Sequence, residues 1–280
     1  MITTTPSRAT TPAIGDARPL PLLRRSLADG WRALIGWSLG LSAATLLYLP
    51  LFSNIGGNEA YQDVIASLPT ELVAALGFDQ LTTGAGYAQS TLYGLLGFAL
   101  VTIASIGWGA AAIAHDDEQG TLELVLAHGV SRTRVLLERF AAIVIKLLVV
   151  VVIVTTLVLA LNGPTRLNIS FEGIMAGGVA LFSSGLLTAA VAILAGAVVG
   201  RSTVAVGAAS GVAVVGYALN AVGNLSEQSQ WLHALSPYNW AYGSSPLANG
   251  FDLIMALPYV VTAAAIGLSV IAFNRRDVGV

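Results

Sequence analysis

No cysteine occurs among the 280 residues, which excludes a disulfide framework, a thiolate metal site and a cysteine nucleophile. Charge is scarce as well. Acidic and basic residues together make up 10% of the chain, against about 25% in an ordinary soluble domain. Lysine is almost missing, with Lys146 alone beside many arginines, a bias that points to a GC-rich bacterial source. A phosphate-binding loop needs glycines followed by a lysine and a hydroxyl residue. The only lysine follows Ile145, so the chain carries no such loop. The three histidines lack metal-ligand spacing: His128 is thirteen positions after His115, and His233 is far from both. The loop serines, Ser236 among them, have no base at a fixed spacing, which leaves nucleophilic catalysis without support.

What is abundant is apolar surface. Hydrophobic residues reach 55% and the mean hydropathy is +0.77, more than a soluble protein of this size can cover with its few polar residues. A bilayer core needs about 20 mainly apolar residues per helix, and six stretches approach this: Trp31 to Phe52, Thr91 to Ala114, Phe140 to Leu161, Ile174 to Gly200, Thr203 to Val222, and Met255 to Phe273. Pro258 falls in the first turn of the sixth, where its missing N–H costs no intrahelical bond. The expected fold is an all-α integral membrane protein with six transmembrane helices. A disordered cytoplasmic tail is expected over 1–21, where no signal-peptide core is visible, and a six-span domain over 22–280.

Basic residues are retained on the cytoplasmic side during insertion. With both termini inside, only Arg166 of the 13 basic residues falls outside. Eight of the acids are inside and seven outside, so the inner segments carry 12 − 8 = +4 and the outer ones 1 − 7 = −6, which sums to the chain's −2. Before the first span, Leu23, Leu27 and Trp31 share one helical face and Arg24 and Arg25 the other. This fits either a helix lying in the membrane surface or a plain positive flank that sets topology. The long first outer connection places Tyr61, Val64, Ile65 and Leu68 at helical spacing, with a second helical run from Glu71 to Leu76 that can end on Gly77. Gly196 with Gly200 and Gly207 with Gly211 give the spacing that permits close helix contact, within one chain or between two. Trp231, Tyr238, Trp240 and Tyr242 read as an interfacial belt.

Between spans two and three runs DDEQGTLELVLAHGVSR, residues 116–132. Gly120 and Thr121 can begin a helix, Leu122, Val125 and Leu126 align at i, i+3 and i+4, and Gly129 can end it. The acids Asp116, Asp117 and Glu118 precede it, where a helix dipole favours negative charge. Arg132 and Arg134 follow and can pair with a partner's acids or with headgroups. An amphipathic helix too short to span is shaped to dock in an apolar groove of a soluble partner.

The string GTLELVLAHGVSR resembles the signature of the ABC type 2 permease family. The six-span layout, the long first outer loop and the segment LSPYNWAYGSSPLANGFD at 235–252 are similar to that family too. The sequence departs from it at Gly129, where many relatives carry proline. The resemblance implies a permease subunit in a bacterial or archaeal plasma membrane, exporting a drug, antibiotic or other amphipathic compound. It implies that this segment, residues 120–132, forms a coupling helix, with Gly120, Thr121, Leu122, Glu123, Leu124, Val125 and Leu126 against an ATPase and Arg132 supporting them. Two ATPase subunits and a second permease copy, the same or a related chain, are implied as partners. ATP and magnesium would be bound by the ATPase, with no cofactor and no enzymatic activity in this chain. If the pathway runs between the two copies, Tyr93, Phe98, Tyr217 and Asn220 are candidates to line it. The alternatives are an ion-coupled secondary transporter, which would place ionisable residues within its spans, and a non-transporting membrane scaffold.

The charge distribution makes topology testable in this cysteine-free chain. Single cysteines at Gly57 and Ser229 are expected to react with an impermeant thiol reagent on intact cells, and one at Ser202 is not. Reaction at 202 alone would reverse the orientation.

Overall fold

The computed structural model describes residues 20–55, 67–69, 73, 81–122, 127 and 129–276. The tail before Leu20, the outer helix expected around Tyr61 to Ile65, and Glu123 to Leu126 lie outside these; of the run expected from Glu71 to Leu76 only Val73 is described, and it is helical, its amide donating to Pro69 O at 3.1 Å. Leu68, which is described, sits in a bend.

No strand occurs among the described residues, and six helices are long and apolar enough to cross a membrane. The spans are Trp31–Asn54, Gly84–Ala112, Arg132–Asn162, Phe171–Val199, Ser202–Gly223 and Leu253–Arg275. They match the six apolar runs, but the second starts at Gly84 rather than Thr91 and the third at Arg132 rather than Phe140. Its first two turns carry Arg132, Arg134, Glu138 and Arg139, and the helix continues through them because each charge finds a partner: Arg132, Glu138 and Arg139 on neighbouring elements, and Arg134 on Glu138 one turn along the same helix. Local caps set several boundaries. Ser131 and Ser170 accept from the amides of Arg134 and Gly173 and open spans three and four. Gly200, at φ 73°, ends span four in the left-handed conformation that glycine tolerates. Asp252 accepts from the Ile254 amide and opens the sixth span.

Span four is the centre of the bundle. It packs against spans two, three, five and six, and 67% of its most apolar window is buried, against 17% for span one and 22% for span five. Spans one and five therefore present most of their surface outward. Small residues make the centre close-packed. A Cβ at Gly185 would lie 2.7 Å from Val101 and 2.8 Å from Leu147, so spans two and three both press on span four there. The two glycine pairs separate: Gly196 is packed against Ala114, whereas Gly207 and Gly211 face open space. Several core hydroxyls bond within their own helices, as Ser105 does to Val101 O at 2.6 Å and Ser269 to Ala265 O at 2.7 Å, whereas those of Thr102 and Thr262 have no partner among the described residues.

The segment before span one is a helix, Pro21–Asp29, and it is packed on span three rather than free. The amides of Leu22 and Leu23 donate to Glu138 at 2.9 and 3.1 Å. At the other end of the helix, the Lys146 ammonium lies against Gly30, 5.7 Å from the Trp108 ring centre. Glu138 and Lys146 are eight residues apart on span three, roughly 12 Å at 1.5 Å per residue, and the nine-residue helix matches that length. Span three thus sets a carboxylate at the positive end of this helix's dipole and an ammonium at its negative end. Lys146 is buried between elements instead of reaching the surface.

The contact between spans two and four is tight at Gly109, where a Cβ would lie 2.7 Å from Ala189 O and 2.8 Å from the Ala192 Cβ, while Gly107 faces open space. Gly109→Ala is expected to destabilise the fold by about 1–3 kcal/mol. Gly107→Ala should be neutral or stabilise by up to about 1 kcal/mol. Unfolding by sodium dodecyl sulfate titration in mixed micelles separates the two.

Candidate functional site

Span two ends at Ala112, and a short helix, Ala114–Glu118, carries the three acids. Gly120 then takes φ 67° and breaks the chain direction. The acids consequently sit on the continuation of span two, not at the head of the docking helix, and each reaches a different element. Asp116 pairs with Arg139 of span three at 2.5 Å. Asp117 pairs with Arg276, just past the end of span six. Glu118 accepts from the Ser202 amide at 2.9 Å and from its hydroxyl at 2.8 Å, capping span five, whose own N-cap residue, Arg201, supplies no side-chain cap. The Ser202 hydroxyl and amide hold the Glu118 carboxyl below the usual carboxylate range.

The arginines complete the pattern. Arg139 donates to Ala112 O, the last carbonyl of span two, at 2.5 Å. Arg276 donates to Gly196 O and Ala197 O of span four at 3.1 and 3.2 Å, and its burial pulls its pKa down. Arg132 donates to Phe273 O at 3.0 Å and to Arg276 O, and lies over the Phe273 ring. Each span that ends on this face has a guanidinium on its terminal carbonyls, as the dipole favours. Arg132 and Arg134, expected to face a partner or headgroups, are both engaged within the chain, Arg134 through Nε to Glu138 at 2.6 Å.

Beyond the clasp, Thr121, Leu122 and Ala127 are helical, and Gly129 takes φ 77° where the sequence places the helix end. Gly120 and Thr121 are exposed. Leu122 is fully buried in the main core, so among the described residues of the expected docking face it anchors the segment and leaves no surface to a partner. Glu123, Leu124, Val125 and Leu126 lie outside the described residues. Periodicity alone did not separate the anchoring leucine from its neighbours, because both a core and a docking face show the same spacing.

At the opposite end, Phe98 and Tyr217 stack with ring centres 6.4 Å apart, and Tyr238 meets both edge-on at 5.1 and 5.0 Å. Tyr93 is wholly buried, and its hydroxyl has no hydrogen-bond partner among the described residues. Asn220, one turn beyond Tyr217 on span five, is partly exposed. Of the expected belt, Trp231 is exposed, but Tyr242 is buried and Tyr238 turns inward. Tyr238 packs against a ten-residue π-helix, Ala88–Gly97, inside span two. Gly94 lacks the Cβ that would collide with the Tyr238 hydroxyl, which donates to Gly94 O at 3.0 Å. Burial pushes the Tyr238 phenol upward, so it remains a neutral donor. The space among Phe98, Ser184, Thr188 and Tyr238 is only about 10 Å³, at most one water.

A family model described as multidrug efflux system permease Rv1217c, C-terminal domain, matches residues 23–274. No curated protein matches the chain.

The clasp can be opened one bond at a time. Arg139→Met removes a charge-assisted pair and a terminal cap, and is expected to cost about 1.5–3 kcal/mol. Glu118→Ala should raise amide hydrogen exchange selectively in the first turn of span five, at 202–205. Exchange unchanged there would show that Glu118 does not cap it.

Proposed function

The chain belongs to the family of the multidrug efflux permease Rv1217c C-terminal domain, and from that premise we propose that it is the membrane subunit of an ABC exporter driven by a separate ATPase. The observation that carries the coupling is the clasp. The inner segment is tied through three successive acids to spans three and five and to the Arg276 cap that joins spans six and four. A push on 120–131 therefore reaches four further spans through ion pairs and caps rather than through a loose loop.

The remaining charges support an external energy source. Ion-coupled carriers place ionisable groups along their spans. Here the span charges stay near helix ends, apart from Lys146, which is committed to the Pro21–Asp29 helix. Since the sequence has no phosphate loop, ATP and magnesium belong to the partner. Gly120, Thr121 and the residues Glu123, Leu124, Val125 and Leu126 form its contact, held in place by Leu122 and, at the next helix start, Arg132. Two permeases and two ATPases make the transporter. The outward glycines of span five, Gly207 and Gly211, and of span one, Gly36 and Gly40, which also face open space, suit a close contact with the second copy. ATP-driven closure moves the inner segments, and the clasp passes the movement outward to the aromatic closure around Tyr238. Tyr93, Phe98 and Tyr217 border the pathway for a drug-like or other amphipathic substrate. A buried, unpartnered hydroxyl such as that of Tyr93 is costly, which supports a polar contact being completed there during transport.

Leu126→Asp tests the docking face. It removes apolar burial of roughly 1.5–3 kcal/mol and should weaken co-purification with the ATPase by at least about tenfold, at equal membrane levels and with export lost. Gln119→Ala, an exposed control, should behave as wild type. Normal co-purification and export by Leu126→Asp would exclude this segment as the coupling element.

A further inference from the structure

A π-helix is rare and mostly lasts a single turn, but the one in span two runs for ten residues, Ala88–Gly97. At its end the Phe98 amide is shared between Leu95 O and Tyr93 O, three and five residues back. From Phe98 the span is α-helical, so the Ala99 amide reaches four residues back, to Leu95 O. The change of register therefore passes over one carbonyl, that of Gly94, which an unbroken α-helix would give to the Phe98 amide. A buried carbonyl that is passed over is costly unless another group donates to it. Here the donor is the Tyr238 hydroxyl, at 3.0 Å, from the short helix Pro237–Tyr242 between spans five and six.

The same connection holds the π-helix at a second point. Gln89 donates through Nε2 to Tyr242 O and accepts through Oε1 from the Leu247 amide, both at 3.3 Å. Two glycines make the wide register possible. A Cβ at Gly97 would lie 2.6 Å from Leu92 O, and one at Gly94 would lie 2.9 Å from Gln89 O, each carbonyl being five residues back.

The residues of this stretch also suit an ordinary α-helix. Leu92, Leu95, Leu96 and Ala99 stand at i, i+3, i+4 and i+7, one apolar stripe in the α register. Leu95 is 49% exposed and Ala99 is exposed, yet Leu92 is 1% exposed. The π turns break the stripe and place Leu92 inside, next to Tyr93, whose hydroxyl has no partner among the described residues.

We propose that span two has two hydrogen-bond registers and that the connection 236–249 locks it in the π register through Tyr238 and Gln89. When Tyr238 withdraws, the Phe98 amide takes Gly94 O, the stretch rewinds as an α-helix, and Leu92 turns out beside Leu95. The Gly94 carbonyl is paired in both registers, so the aromatic contacts around Tyr238 part without orphaning it. The switch belongs to this chain alone and does not rest on how transport is energised.

The test uses the purified full chain in nanodiscs. It has no cysteine, so single nitroxides are placed at 90, 92 or 95 and their accessibility to oxygen is read by electron paramagnetic resonance. In wild type the label at Leu95 should be accessible and that at Leu92 protected. Gly97→Ala favours the α register by propensity and opposes the π register through Leu92 O, and Tyr238→Phe removes the donor to Gly94 O. Each should raise accessibility at 92 severalfold, toward that at 95. Accessibility at Ser90, two residues away and on another face of an α-helix, should not rise. Gly107→Ala, in open space, should keep the wild-type pattern. Circular dichroism and gel filtration establish which variants fold, and either folded variant decides the matter. Protection retained at 92 overturns the proposal, as does a wild-type label at 92 as accessible as that at 95. A rise at 90 and 92 alike would report a loosened connection without a new register and overturns it too. Failure of both variants to fold would make the π register obligatory, which leaves no switch.

Discussion

A helix in hydrocarbon satisfies its backbone groups only between its ends, so the terminal amides and carbonyls of six spans are where this chain needs polar partners. On the arginine-rich face it supplies them from elsewhere in the sequence. Arginines 139, 276 and 132 sit on the closing carbonyls of spans two, four and six, while Glu118 and Ser131 sit on the opening amides of spans five and three. The Pro21–Asp29 helix receives Glu138 in the same way. Charge sign follows the dipole throughout, and the ion pairs of Asp116 and Asp117 join the arginine caps to the end of span two. Few as they are, most of the described charges on this face take part in this one network.

The network matters for function because caps are shared between elements. A guanidinium that holds the end of one helix and pairs with an acid on another cannot keep both partners if they separate. The helix ends on this face therefore either move together or exchange partners. Span four gives the rigid reference for such motion, since its small residues let spans two and three approach to van der Waals contact at Gly185. At the far end the restraint is different in kind. Neutral aromatic contacts and the bond from Tyr238 to Gly94 O close the bundle, and these break without separating charges.

The sequence determined the parts that depend on one segment at a time. Apolar length gives six spans whatever their neighbours, and residue types at helix boundaries, Ser131, Ser170, Gly129 and Gly200 among them, act within a few positions of the turns they make. What only the tertiary structure decided is which residues far apart in the chain meet. The acids 116–118 read as dipole partners of the next helix, yet Gly120 turns that helix away and hands them to three distant elements. Lys146 stands in an apolar run, and only the packing places its ammonium at the end of the Pro21–Asp29 helix. Tyr238 and Tyr242 carry the composition of an interfacial belt, but both pack against Phe98 of span two, and Tyr238 donates to Gly94 O. Leu122 has the spacing of an exposed docking face and the burial of a core residue. In each case periodicity and charge fix what a side chain can do, and the packing of remote helices fixes the partner with which it does it.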